Sequence, residues 1–205
     1  MPIQKITTGV IDGTATIANT AISGTITTSQ LSGSITSDKI TSVNANTITT
    51  GTLPSARLGS DVMVSGNMPA FSVYLSSNQT MSNNTDVIVP FDTKEFDTAS
   101  CYDTSTYRFT PTIAGYYQFN MAVLGAGGAT SVSYISFYKN GSAFKRGSQI
   151  PNNADGVIPA SSALIYLNGS TDYVEGYFAQ LSGVSRALTT GAGFCYFQGY
   201  LVRTA

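Results

Sequence analysis

Phenylalanine, tyrosine and tryptophan are absent from Met1 to Met68, while all 12 Tyr and all 10 Phe lie between Phe71 and the end of this 205-residue chain. A segment without large side chains buries too little area to offset the backbone entropy of folding alone. It either stays a polar Ser/Thr linker or orders by pairing with copies of itself. Its aliphatic residues favour the second outcome. Ile17, Ile22, Ile26, Leu31, Ile35 and Ile40 recur in alternating steps of five and four, a nine-residue unit with Gly24 and Gly33 in equivalent places. Short internal repeats indicate fibrous or solenoid architecture.

A coiled coil needs apolar steps of three and four carried by helix formers, but the spacers here are Thr, Ser, Asn and Gly. Collagen needs glycine at every third position, which is missing. The pattern predicts three extended chains wound about one axis over 16–66, with the six aliphatics as the stalk core. A looser echo runs from Ile48 to Leu58. Ahead of the clean register, Ile3, Ile6, Val10 and Ile11 follow a different spacing, and 1–15 is expected to anchor the chain to a larger assembly.

After Met68 the pattern changes to short runs with period-two alternation. Tyr117, Phe119, Met121 and Val123 share one face; Ile135 and Phe137 lie opposite Tyr134 and Tyr138; Cys195, Phe197 and Leu201 lie opposite Phe194, Tyr196 and Tyr200. Strands are expected over 69–75, 86–91, 107–110, 115–124, 131–139, 142–147, 159–167, 171–181 and 193–203. Turn signals at Thr112–Gly115, Lys139–Gly141 and Asn168–Ser170 separate them. Short strands without a helix signal predict an antiparallel jelly-roll sandwich over 67–205. The fold class is therefore all-β: a trimeric β stalk followed by the sandwich. Several strands are apolar on both faces, which a monomer would leave wet, so a homotrimer is expected.

Charge narrows the function classes. Charged residues make up 10% of the chain, the net charge is −1, and histidine is absent. There is no basic stripe for nucleic acid and no apolar run long enough to span a bilayer. The start, Met1-Pro2-Ile3-Gln4-Lys5, lacks the apolar stretch of a secretory signal. Without histidine the commonest general base and metal ligand are missing, and no enzyme activity, cofactor or metal is expected. Asp92, Glu95, Asp97, Asp103, Asp155, Asp172 and Glu175 read as solvated carboxylates, with 92–103 the place where a calcium ion would sit if one bound. Gly125-Ala-Gly-Gly128 lacks the Lys-Ser/Thr of a phosphate loop. Cys101 and Cys195 read as buried thiols.

Five phrases carry a family resemblance: Pro69-Ala-Phe71, Val89-Pro-Phe91-Asp92, Tyr107-Arg-Phe109-Thr-Pro111 through Gly115-Tyr-Tyr117-Gln-Phe119, Tyr138-Lys-Asn-Gly141, and Tyr196-Phe197-Gln-Gly199-Tyr-Leu201. Together they resemble the globular heads of the complement subcomponent q family, related to tumour necrosis factor. Leu167-Asn-Gly169-Ser-Thr-Asp172-Tyr-Val174 departs from that family by two extra residues in a turn. The phrase Gly51-Thr-Leu-Pro-Ser-Ala-Arg-Leu58 instead resembles tailed-phage, particularly cyanophage, fibre stalks. The resemblance implies a homotrimeric virion fibre, joined through its N-terminus to a tail or other virion protein, whose head contacts a host-surface glycan or protein. A decoration or connecting fibre without receptor binding, and a bacterial secreted adhesin, are the alternatives.

Connection lengths after residue 111 alternate short and long. Antiparallel parity therefore puts the long connections 125–130, 148–158 and 182–192 at one end. Gln149, Asn152, Asn153, Asp155 and Arg186 are the receptor-contact residues this predicts.

Overall fold

The computed structural model describes residues 68–125, 132–151 and 156–205. The stalk positions Ile17, Ile22, Ile26, Leu31, Ile35 and Ile40, and the anchor positions Ile3, Ile6, Val10 and Ile11, lie outside the described residues. Thirteen strands follow in order. They are β1 (Ala70–Tyr74), β2 (Thr80–Met81), β3 (Val87–Ile88), β4 (Thr93–Asp97), β5 (Tyr102–Asp103), β6 (Arg108–Phe109) and β7 (Gly115–Ala122). Then come β8 (Val132–Lys139), β9 (Ser142–Pro151), β10 (Ala160–Leu167), β11 (Val174–Gln180), β12 (Arg186–Ala187) and β13 (Tyr196–Thr204).

Alternation sorts these strands into two layers. One antiparallel sheet has the order β10-β7-β13-β1-β4 and the other β5-β6-β11-β8-β9, with β3 also pairing β11 and a separate β12-β2 ribbon. The first sheet sends Phe71, Val73, Tyr117, Phe119, Met121, Phe197 and Leu201 inward, and the second sends Phe109, Ile135, Phe137, Val174 and Phe178. Phe197 sits at the centre, with Phe71 edge-on at 5.0 Å and Phe119, Phe91, Phe137 and Tyr102 all within 6.3 Å. Burying each such ring contributes about 1.5–3 kcal/mol, so this cluster is the main source of head stability.

Two expectations need correction. The acidic stretch 92–103 is not one loop, because it forms the edge strand β4 and the short β5. Likewise β9 does not stop at residue 147 but runs to Pro151. Its pairing with β8 slips between Tyr134 and Ser136 and again between Phe137 and Tyr138, and these two bulges break the alternation that marks a strand in sequence. At the inner bulge Gly147 packs so closely on β10 that a Cβ would lie 2.5 Å from the Ser161 side chain.

Turn chemistry closes the hairpins. Asn140 and Gly141 take φ of 53° and 76°, the left-handed pair of a tight β8–β9 turn. Asn168 Oδ1 accepts from the amides of Ser170, Thr171 and Asp172, and Asp172 in turn bridges Lys139 at 2.9 Å and Asn140 at 2.8 Å. The extra residues at this turn are thus absorbed by side-chain caps, and the core is untouched.

The connections part into two poles. At one, Gly125 bridges both Val157 and Leu188, and Thr189 donates to the Leu124 carbonyl, so the ends of the three long connections meet. At the other, Asn140 donates to the Tyr173 carbonyl and Ala205 to that of Ala114. Pro69 accepts from the Leu201 amide, which places the start of β1 toward this second pole.

Candidate functional site

The outward face of the five-stranded sheet concentrates exposed apolar side chains. Phe96 on β4, Tyr200 and Val202 on β13, Tyr116 on β7, and Leu164 and Tyr166 on β10 all stand in solvent; Phe96, Tyr200 and Leu164 are 50%, 49% and 51% exposed. Register aligns them. Gln118 lies opposite both Tyr200 and Leu164, so these three residues form one rung across β13, β7 and β10. Tyr116 and Tyr166 face each other with ring centroids 5.5 Å apart, and the Arg203 guanidinium lies 5.8 Å from the Tyr116 ring. Between Phe96 and Tyr200 the sheet sinks into a depression of about 210 Å³ lined also by Asn120 and Gln198. Two polar pairs on this face are closed locally: Gln118 Nε2 donates to Ser162 Oγ at 2.6 Å and Ser72 Oγ to Glu95 at 2.6 Å. An exposed apolar cluster of this kind is what an association surface requires.

The opposite face, on the six-stranded sheet, is aromatic too but differently furnished. Tyr138 and Tyr177 stack at 3.7 Å, and Tyr138 Oη donates to Asp86 Oδ2 at 2.7 Å. The Arg146 guanidinium lies 3.5 Å over the Tyr134 ring, and that of Arg108 lies 4.2 Å over Tyr173 while its Nε donates to Glu175 at 2.9 Å. Burial, and then the neighbouring Asp86 carboxylate, push the Tyr134 and Tyr138 hydroxyls above the ordinary phenol value.

Of the sequence-predicted contact residues the structure describes Gln149 and Arg186, and both lie on strands. Gln149 is an exposed residue of β9 paired with Tyr134, and Arg186 is a half-buried residue of β12 paired with Met81, its Nε 3.4 Å from Ser182 Oγ. Asn152, Asn153 and Asp155 lie outside the described residues. The carboxylates of 92–103 serve separate local structures: Asp92 accepts from Ser76, Asp97 from the Cys101 and Tyr102 amides and Lys94, and Asp103 from Ser105 and Thr106. Among the described residues no three His, Cys, Asp or Glu side chains gather as a metal-binding group. Both thiols are buried and free, and burial pushes Cys195 up to about 11. Sequence reasoning placed Tyr200 outward but missed Phe96 and Leu164 as its neighbours. The signal for Leu164 was the alternation within Ala160–Leu167, whereas Phe96 sits in a polar run with none.

Two antiparallel sheets of five and six strands, with alternating short and long connections, define a jelly-roll sandwich of the C1q and tumour-necrosis-factor type. The chain belongs to the C1q domain family, whose model matches residues 70–202. Among solved structures, the globular domain of zebrafish complement 1qA protein superposes with a TM-score of 0.50 at 19% identity, covering 67% of this chain and 99% of that one. Murine APRIL superposes with a TM-score of 0.50 at 9% identity, over 66% of this chain and 99% of its own. At such identities the likeness concerns the fold. No curated protein sequence matches the chain. Domains of this type are typically structural or ligand-binding modules without catalysis, and they commonly form homotrimers.

Proposed function

We propose that this chain is a homotrimeric, non-enzymatic virion fibre of a tailed phage. In this reading its head recognises a host surface receptor and its first 15 or so residues join it to the tail or another virion protein. The observation that carries it is the apolar face of Phe96, Tyr116, Leu164, Tyr166 and Tyr200, which spans four strands of one sheet and is left exposed by the described residues. Closing three copies over that face buries it, and the nine-residue stalk repeat supplies a second reason for three parallel chains. Trimerisation leaves the six-stranded face and the long-connection pole outward, where Gln149, Asn152, Asn153, Asp155 and Arg186 are the proposed receptor contacts. Two measurements on the full chain test the reading. Native mass at sub-micromolar concentration should give a trimer, and labelled protein should coat host cells and block virion adsorption. A folded monomer refutes the assembly. Protein that neither coats cells nor competes with virions refutes receptor recognition and leaves a connecting fibre.

A further inference from the structure

A depression of about 270 Å³ opens on the outward face of the six-stranded sheet, lined by Asp86, Tyr134, Ser136, Ala143, Phe144 and Arg146. We propose that it holds one neutral hexopyranose unit of a surface glycan; this rests on the receptor-recognition reading for the source of the sugar, though the pocket itself does not.

The backbone of β9 makes the site. In a regular strand alternate side chains turn away, yet Ala143, Phe144 and Arg146 all line the same depression. The bulge where Lys145 pairs with Phe137 but Ala143 with Tyr138 inserts Phe144 as an extra residue and re-aims it outward. Phe144 is 49% exposed at the rim. Small residues, Ser136 on β8 and Ala143 on β9, keep the floor low between Tyr134 and Phe144.

The polar groups are complementary to a sugar. A hexopyranose presents apolar C–H patches, which pack on aromatic faces, and hydroxyls that each donate and accept. Asp86 supplies an acceptor. Its Oδ2 is taken by Tyr138; the Tyr134 hydroxyl also lies near the carboxylate, but no described donor reaches the buried Oδ1 in hydrogen-bond geometry. A carboxylate oxygen in that position is unfavourable until something donates to it. Arg146 supplies donors: its guanidinium is fixed flat on Tyr134 and makes no ion pair among the described residues. One acceptor and one donor array flanking an aromatic rim suit hydroxyls. Asp86 and Arg146 together leave the pocket without net charge, which suits a neutral sugar, and a carboxylate drawn to Arg146 would also meet Asp86.

Size and placement agree. The volume lies just below the range of roughly 300–1,000 Å³ usual for drug-sized ligands, which is room for one ring. The pocket faces away from the apolar sheet, so a trimer closed over that sheet displays three copies, and weak single sites gain from multivalency. Gln149, one of the predicted receptor contacts, pairs with Tyr134, so the pocket extends the proposed contact surface along β9.

Saturation-transfer NMR on the full chain, with D-glucose, D-galactose, D-mannose and N-acetyl-D-glucosamine as probes, reads the site directly. At least one should bind with a Kd in the millimolar range. Asp86→Asn and Phe144→Ala should each weaken it about tenfold with the fold intact by circular dichroism, and Lys94→Ala, on β4 of the other sheet, should leave it unchanged. Binding of none of the four overturns the proposal, as does full affinity in Asp86→Asn, or D-glucuronate binding as well as the neutral sugars. Cell adsorption separates the two readings. Wild-type protein that takes a hexose in solution but ignores host cells defeats receptor recognition and spares the pocket. Adsorption in the absence of hexose binding does the reverse.

Discussion

On the five-stranded sheet Tyr200, Leu164 and Phe96 stand in solvent among apolar neighbours. Across the sandwich, Tyr134, Tyr138 and Tyr177 are each held by a guanidinium, a carboxylate or another ring. Both faces alternate with the same interior, and both carry aromatic rings at comparable density. What separates Phe96 and Tyr200 from Tyr134, Tyr138 and Tyr177 is whether the ring's surroundings are already satisfied; Phe144, 49% exposed, is the exception on the second face. Bare rings gain by excluding water against another copy of the chain, a large and non-directional effect. Rings fixed by polar partners gain little from burial, since burial would strip water from Arg146 and Arg108. They are suited to stay wet or to take a small polar ligand.

The largest expected effect comes from placing charge on the bare face. Tyr200→Glu with Leu164→Glu puts two carboxylates on one rung of β13, β7 and β10, which the proposed trimer would bring close to their copies around the threefold axis. The trimer should be lost entirely, as read by sedimentation at micromolar concentration, while the far-ultraviolet spectrum of the head remains. A trimer that persists means this face is not the interface, and the contrast drawn above fails.

A smaller effect probes the furnished face. Arg108 is well exposed, but its partner Glu175 is 2% exposed and has one buried oxygen without a donor. Removing the cation as Arg108→Ala strands a buried charge and should cost about 1–3 kcal/mol in chemical denaturation. Glu175→Gln, which removes the charge and keeps the shape, should cost less. Equal costs would show that the pair acts as an ordinary surface contact.

The smallest effect is in alkali. Burial first, and then Asp86, raise the Tyr134 and Tyr138 hydroxyls above 10.0, and burial raises Tyr177 as well. A phenol whose folded value is raised contributes its full share of stability below its unfolded value and loses it as pH climbs above that value. Head stability should therefore decline above about pH 10. Tyr138→Phe should flatten that decline, at a neutral-pH cost of about 1 kcal/mol for the lost hydrogen bond to Asp86. A decline of unchanged steepness would mean that other buried tyrosines, Tyr102 and Tyr117, govern it.

The layers were largely legible because Tyr117-Gln-Phe119-Asn-Met121 and its like write burial into every second residue. Asn140-Gly141 announced its hairpin for an equally local reason. What escaped was set by long-range neighbours. Thr93-Lys-Glu-Phe-Asp97 is polar enough to read as a loop and becomes a strand only because β1 offers it a free edge. The end of β9 was hidden by Gly147 and Ser148, whose bulge suspends alternation. Asp86 and Tyr138 are 52 residues apart, and nothing near either in sequence foretells their hydrogen bond. The predicted contacts were sought in loops, yet Gln149 and Arg186 sit on strands. Parity correctly gathered the ends of the long connections but is silent on which residues within them pair.

The pairing of β1 has a mechanical consequence. It lies inside the five-stranded sheet, hydrogen-bonded to β13 on one side and to β4 on the other, with its leading residue toward the pole where Ala205 meets Ala114. A tether pulling on the chain before Met68, against a head held fast at its far pole, draws β1 along its own length. The load then falls on both ladders in shear, so their rungs share it and must yield together, not one after another as in peeling. Resistance of that kind is a matter of unfolding rate under force. A domain loaded this way withstands brief tugs that would peel off an edge strand in the same position.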